Sequence, residues 1–362
     1  MNNINEQIKT LGGVVDIPLE FLPKGWKKLT NSHVFGDDNF GNVLDKKGSQ
    51  MVCIKKFYFR WKKDNKPKIS YYPKRKYNLH LAFIDAGKEV DYIFVDKYEC
   101  GNLDGIFTSS KDLEPCTTSS YKNPISNLKH NPDNNFGGLY AAAKTRGKKH
   151  FLTSALIWNA LGILKFVHNN YKLEQTEFHN NHKCGVKWID PWRYEVASGL
   201  TKFDDESNIF KVLKQNISYR DLKDANTAYN EDLYDDLDLT DIMENCNSFM
   251  FLDDKVKTFS NKNLVKTCFG IPKSNALSKN SNPTYGKAGI YLYKRAGLAV
   301  VVGGAWGDTS YAGVFCMYLH DVRSGSRGHV GGRASYFVTC PVNDSEQVLL
   351  DREKHVSECE TK

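Results

Sequence analysis

The chain has 362 residues, 40% of them hydrophobic and 12% aromatic, enough to bury a sizeable core in one large domain or two modest ones. Its net charge of +8, from 50 basic and 42 acidic residues, is mild for this length and lacks the concentrated basic balance of a dedicated nucleic-acid binder. The nine cysteines (53, 100, 116, 184, 246, 268, 316, 340 and 359) are odd in number, irregular in spacing and without a CxxC pair, which excludes a disulfide framework and a zinc site built on Cys alone.

Residues 1–20 are polar and then mixed, with Gly12, Gly13 and Pro18, and read as an extended arm or linker, either a disordered tail or an anchor to a partner. They carry no basic-then-apolar signal pattern, and no run of about 18 apolar residues follows to span a membrane. Short strands are expected at 26–29, 41–44 and 50–54, separated by turn residues at 37–39 and 45–48. Aromatic or apolar strands follow at 56–61, 77–83 and 91–98. Between Lys55 and Lys76 ten Lys or Arg mingle with aromatics, which fits either a single-strand nucleic-acid platform or, the reading favoured here, a solvated hairpin whose lysines blunt a sheet edge. Residues 111–150 are rich in loops, and Gly137 to Ala143 reads as a short strand or the start of a helix.

The strongest helical pattern runs from His150 to His168, capped by Thr153 or Ser154. Ala155, Trp158, Leu161, Leu164 and His168 share one face, but Ile157 and Phe166 lie off it, so this helix belongs inside a core. Between about 200 and 285 the composition shifts, with six carboxylates in residues 231–241, and the stretch reads as a long insertion, partly strand. Those carboxylates lack the spacing and central glycine of a calcium loop and read as a solvated face.

Residues 300–337 are dense in strands and turns. Val300 to Val302 lead into Gly303, Gly304 and Trp306; a second apolar run spans 312–319; a polar segment spans 320–329; Gly331, Gly332 and Arg333 close it. Glycines on both sides of a long polar segment mean that backbones approach closely at its two ends. No P-loop, GxSxG, HExxH or dinucleotide fingerprint occurs. His179, His182 and Cys184 are close enough to be metal ligands but have no fourth partner, Asp190 with Asp204, Asp205 and Glu206 has nothing to fix its geometry, and Cys316 sits in an apolar run as an inert thiol. Enzymatic chemistry is therefore not expected. What stands out is aromatic and Arg content, the chemistry of interface hot spots and paratopes. Trp306, Asp308, Tyr311, His320, Arg323, Arg327 and His329 are the candidate ligand-binding residues, with Gly303, Gly304, Gly313, Gly332 and Arg333 as their structural base.

Gly303-Gly304-Ala305-Trp306, then Ala312-Gly313-Val314-Phe315, then Gly332-Arg333 resemble the C-terminal signature of the C-type-lectin-like fold, in the branch shared by formylglycine-generating enzymes, phage tropism determinants and phage minor structural or tail-fibre proteins. Upstream, Ile54 to Phe59, His80 to Phe83, Gly87-Lys88-Glu89, Asp96 to Glu99 and Trp188 to Trp192 follow the order of that branch's motifs. The resemblance covers about residues 21–342. It departs from the pattern at Arg193, where the family carries Gly, in the 200–285 insertion, and in having no counterpart of the enzymes' catalytic cysteines.

The resemblance implies an α+β fold of mixed antiparallel sheets with one or two core helices and a long insertion. It implies a phage virion protein of a tail fibre, tail tip or head fibre, typically a homotrimer, that displays a loop to a host-surface receptor or glycan. The alternatives are a purely structural decoration protein and an enzyme of the formylglycine type. Residues 1–20 would anchor the chain to other virion proteins, 21–342 would form the lectin-like domain, and 343–362 a polar tail. Assembly in the host cytoplasm fits the lack of a signal pattern. Neither nucleic-acid binding nor membrane insertion is expected, and no cofactor: calcium is compatible with the resemblance, but no motif supplies a specific ligand set.

Overall fold

The computed structural model describes residues 12–168, 170–171, 193–244, 248–260, 262–282, 284–285, 288–304 and 313–340. Trp306, Asp308, Tyr311, the His179–Cys184 cluster, Trp188 to Trp192 and the 343–362 tail lie outside them.

The fold is α+β, built on two large sheets. The first has six strands in the order Lys27–Lys28, Asn42–Leu44, Gln50–Lys55, Tyr92–Asp96, Ala334–Val338, Phe151–Leu152, every neighbour antiparallel. Its two central strands are continuous apolar runs because both faces are covered. Val52, Ile54, Ile93 and Val95 join the main core. Met51, Cys53, Tyr92 and Phe94 join a second cluster with Val15, Ile17, Trp26, Tyr336 and Val338. The chain from Gly12 to Ile17 covers that second face. Val15 donates its N–H to Cys53 O at 3.1 Å and Lys55 donates to Gly13 O at 3.1 Å. This part of the expected arm is thus docked on the body, its apolar Val14, Val15 and Ile17 buried.

The second sheet has seven strands in the order Leu277–Ser278, Met250–Leu252, Gly289–Leu292, Gly313–Leu319, Val300–Gly303, Tyr194–Ala197, Val330–Gly331. It is mixed: Gly289–Leu292 runs parallel to Gly313–Leu319, and Tyr194–Ala197 parallel to Val330–Gly331. Gly303, at φ +84°, sits where the pairing with Gly313 shifts register, a bulge that a β-carbon would strain. A β-carbon on Gly331 would come within 2.8 Å of Cys116 O, so the closing strand lies directly on another backbone.

The long helix Ala155–His168 packs against this second sheet, with Gly162 under the Phe315 ring. Ser154 caps it by accepting from Ile157 N at 3.2 Å. Its far side meets the small sheet Tyr58–Trp61, Pro67–Ser70, Asn78–Leu79, where Trp61 packs on Phe166 with ring centroids 6.2 Å apart. In that hairpin Phe57, Phe59 and Trp61 are buried while Tyr58 and Arg60 are half-buried, so core packing consumes those aromatics. The expected strand at 77–83 stops at Leu79. His80 accepts from Ala82 N at 3.1 Å and caps a short 3-10 turn, Leu81–Phe83.

The region at 200–285 is woven into the body. Leu200–Thr201, Ile209–Leu213 and Tyr234–Asp238 form a three-stranded sheet, and Met250–Leu252 and Leu277–Ser278 extend the seven-stranded one. Phe210, Tyr219, Leu237, Ile242, Phe259 and Cys268 belong to the main core cluster. Apolar residues spaced among its carboxylates, such as Leu237 between Asp236 and Asp238, account for this.

Candidate functional site

Where the two sheets meet, the chain buries charge. Arg146 donates through Nη1 to both carboxylate oxygens of Asp96, at 2.6 and 2.7 Å, and through Nε to Asp45 at 2.8 Å. Asp96 also accepts from Ser49 Oγ, Cys100 Sγ and the Ala334 backbone N–H. Arg333, at 1% exposure, donates through Nε to Glu195 at 2.8 and 3.1 Å and through Nη1 to the carbonyls of Asp96 and Lys97. It thereby ties the six-stranded sheet to the seven-stranded one.

Glu99 lies beside this network, also at 1% exposure, and among the described residues neither of its carboxyl oxygens accepts a hydrogen bond. Arg193 Nε lies 3.7 Å from its Oε2. Burial, then repulsion from Glu195, pushes its carboxyl up to about 8. Burial also raises Glu195, but the two short bonds from Arg333 mark Glu195 as the ionised member and Glu99 as the carrier of the proton.

Nothing in this network resembles a nucleophile with its base. Burial raises the thiols of Cys53 and Cys100 far above the usual range and those of Cys116 and Cys268 to about 12, so they stay protonated at neutral pH. Cys316 is buried within its strand. Among the described residues no group of three His, Cys, Asp or Glu is placed to hold a metal ion.

The 320–329 segment has a different character: its backbone is bonded to the body along most of its length. Ala299 donates to Asp321 O (2.9 Å), Arg323 to Gly297 O (2.8 Å), Gly137 to Arg323 O (2.9 Å), Phe136 to Gly325 O (2.9 Å) and Tyr194 to His329 O (3.1 Å). Buried Thr118 pins the far end. Its Oγ1 accepts from Arg327 N at 3.0 Å, its carbonyl accepts from Ser326 Oγ at 2.7 Å, and its N–H donates to Val330 O at 3.0 Å.

With the backbone fixed in this way, Arg323, Ser324, Ser326, Arg327 and His329 are exposed. The Arg323 guanidinium lies over the Tyr229 ring at 4.8 Å. Arg327 and His320 both approach the Asp321 carboxylate, at 3.6 and 3.8 Å. His320 is half-buried and stacks on Tyr291 with ring centroids 4.8 Å apart. Burial holds its imidazole below its usual value, against the pull of Asp321. Tyr318 and Tyr194 continue the aromatic row from His320 to His329, with centroid distances of 5.8, 5.1 and 5.8 Å.

The structure thus brings together four of the candidates, His320, Arg323, Arg327 and His329, on one fixed backbone. Of the residues expected to form their base, Gly303 and Gly313 face each other across the bulge, buried Gly304 follows directly, Gly332 lies against Leu152, and Arg333 points into the buried network. Sequence reasoning missed Thr118, which holds the segment, and the Glu99–Glu195 pair; both depend on contacts between residues far apart in the chain.

No family model and no curated protein matches this chain. Solved structures similar to it include three variants of one protein. The Major Tropism Determinant M1 variant is 10% identical over 80% of this chain and 73% of its own, with a TM-score of 0.33. The U1 variant is 9% identical over 81% and 64%, at 0.34, and the I1 variant 11% identical over 79% and 72%, at 0.32.

Proposed function

We propose that this chain is a phage virion protein of C-type-lectin-like architecture that attaches to the host surface through its 320–329 segment. One observation carries the reading: a Ser/Gly/Arg segment is bonded through its backbone to several separate parts of the body while its Arg, Ser and His side chains face solvent. A surface fixed before its partner arrives loses little conformational freedom on binding. The order of the sequence motifs supports the same architecture. In this reading the chain is a homotrimer on a tail fibre, tail tip or head fibre, its N-terminal residues face other virion proteins, and its partner is a receptor or glycan on the cell.

The test is retention of the purified chain on intact bacteria of a host panel, comparing wild type with the double variant Arg323→Ala/Arg327→Ala. Wild type should be retained on cells of at least one host, and the double variant should bind those cells at least about tenfold more weakly. Failure of the wild type to bind any cells, together with normal infection by virions lacking the chain, would overturn the proposal.

A further inference from the structure

Next to the 320–329 segment stands a turn at residues 117–123 that no sequence motif points to. Thr117 donates its N–H to Asn123 O at 2.9 Å and its Oγ1 to Lys122 O. Ser119 N donates to Thr117 Oγ1 and Tyr121 N to Ser119 Oγ, both at 3.2 Å. Asn123, at φ +41°, donates from Nδ2 to Glu114 O at 2.6 Å. The turn is therefore rigid, and the bonds from Thr118 to Ser326, Arg327 and Val330 lock it to the neighbouring segment. A β-carbon on Gly328 would lie 3.9 Å from that of Ser119, so the two backbones run side by side.

On this turn Tyr121 is 97% exposed. Its ring covers no core and caps no element, yet its backbone is held by a network of bonds. We infer that Tyr121 is a specificity-determining contact residue of the same surface, and that the partner it fits is a saccharide carrying acidic groups. The inference rests on the host-attachment reading and deepens it.

The surroundings of Tyr121 argue for that chemistry. On the turn itself exposed Ser120 supplies a hydroxyl and exposed Lys122 a cation, and exposed Arg327, bonded through its backbone to Thr118, supplies a second cation. Within residues 114–123 and 320–329 the acidic groups are exposed Glu114 and half-buried Asp321, and Asp321 already faces Arg327 and His320. Among the described residues of these two segments Tyr121 is the sole exposed large apolar side chain. A protein partner wants a broad apolar centre, about 800 Å² a side and depleted of charge. One ring beside a hydroxyl and two cations suits a sugar instead. The ring takes the C–H face, Ser120 takes a hydroxyl, and Lys122 and Arg327 take carboxylate or phosphate.

The experiment is binding of the full chain to an array of acidic and neutral bacterial polysaccharides, with Tyr121→Ala, Tyr121→Phe and Arg327→Ala beside wild type. Wild type should bind acidic members selectively. Tyr121→Ala should weaken that binding at least about tenfold and Tyr121→Phe by about threefold or less, because the stacking face survives. Melting temperatures should not move, since the side chain is solvated. If Arg327→Ala weakens binding while Tyr121→Ala binds like wild type, the role of Tyr121 is wrong and host attachment stands. If wild type ignores all polysaccharides but binds cells in a protease-sensitive way, the partner is protein and the inference fails. If wild type binds neither polysaccharides nor cells, the attachment reading fails with it.

Discussion

Replacing Glu99 with Gln should stabilise this protein in a pH-dependent way. Glu99 is 1% exposed, accepts no hydrogen bond among the described residues and lies 3.7 Å from the Arg193 guanidinium. Its carboxyl keeps its proton to about pH 8 in the folded state against an ordinary 4.5. Between those two values the folded chain binds one more proton than the unfolded chain, so this group makes stability fall as pH rises. Each tenfold change in proton affinity is worth about 1.4 kcal/mol, which sets an upper limit of about 4–5 kcal/mol across the window. Relaxation and water entry lower the effective penalty of a buried charge, so a loss of about 2 kcal/mol between pH 5 and pH 8 is the expected size.

Glutamine keeps the shape and cannot ionise. Denaturant unfolding of wild type and Glu99→Gln at pH 5 and pH 8 isolates this group by difference. The difference matters, because buried His80, held down to about 4 by desolvation, gives stability the opposite slope below pH 6.5. The two proteins should be nearly equal at pH 5, with the variant ahead by about 2 kcal/mol at pH 8. A variant destabilised equally at both pH values would show that Glu99 is ionised and paired with Arg193, and would refute the reasoning.

Glu195→Gln should behave oppositely, because it leaves the Arg333 guanidinium buried without its carboxylate; a loss of about 3–5 kcal/mol at pH 8, above the value of about 7 to which burial raises Glu195, is expected by the same unfolding assay. Asp96→Asn, which breaks the paired contact with Arg146, should cost a similar amount and lower the melting temperature. Gly162→Ala would place a β-carbon 2.6 Å from the Phe315 ring, and calorimetry should show a loss of about 1–3 kcal/mol as helix and sheet are forced apart. Arg327→Ala, at an exposed site, should change stability by less than about 0.5 kcal/mol while weakening cell binding.

The sequence foretold the elements whose pattern follows from burial alone. The runs at 51–54 and 92–95 are apolar throughout because both faces of that sheet are covered, and the helix at Ala155–His168 carries apolar residues on more than one face because sheets lie on both sides of it. Alternation in 77–83 mimics a strand, but His80 turns to cap the next three residues, a choice made by its contact with Asn159 79 positions away. The six carboxylates of 231–241 are exposed, as their charge suggested, while Tyr234 and Leu237 between them are drawn into the core. The buried charge network was illegible because Asp45, Asp96, Arg146, Glu195 and Arg333 meet only after both sheets form. At the candidate surface, residue types pointed to His320, Arg323, Arg327 and His329. Thr118 and Tyr121 left no such trace, since a lone Tyr in a Ser/Lys/Asn turn has no period.

The most direct test of host attachment is the position of this surface on an intact particle. An electron cryomicroscopy map of virions carrying the chain should place Tyr121, Arg323 and Arg327 at the outer surface, facing solvent. Density from another virion subunit packed against those three residues would contradict the account and make the segment an assembly contact.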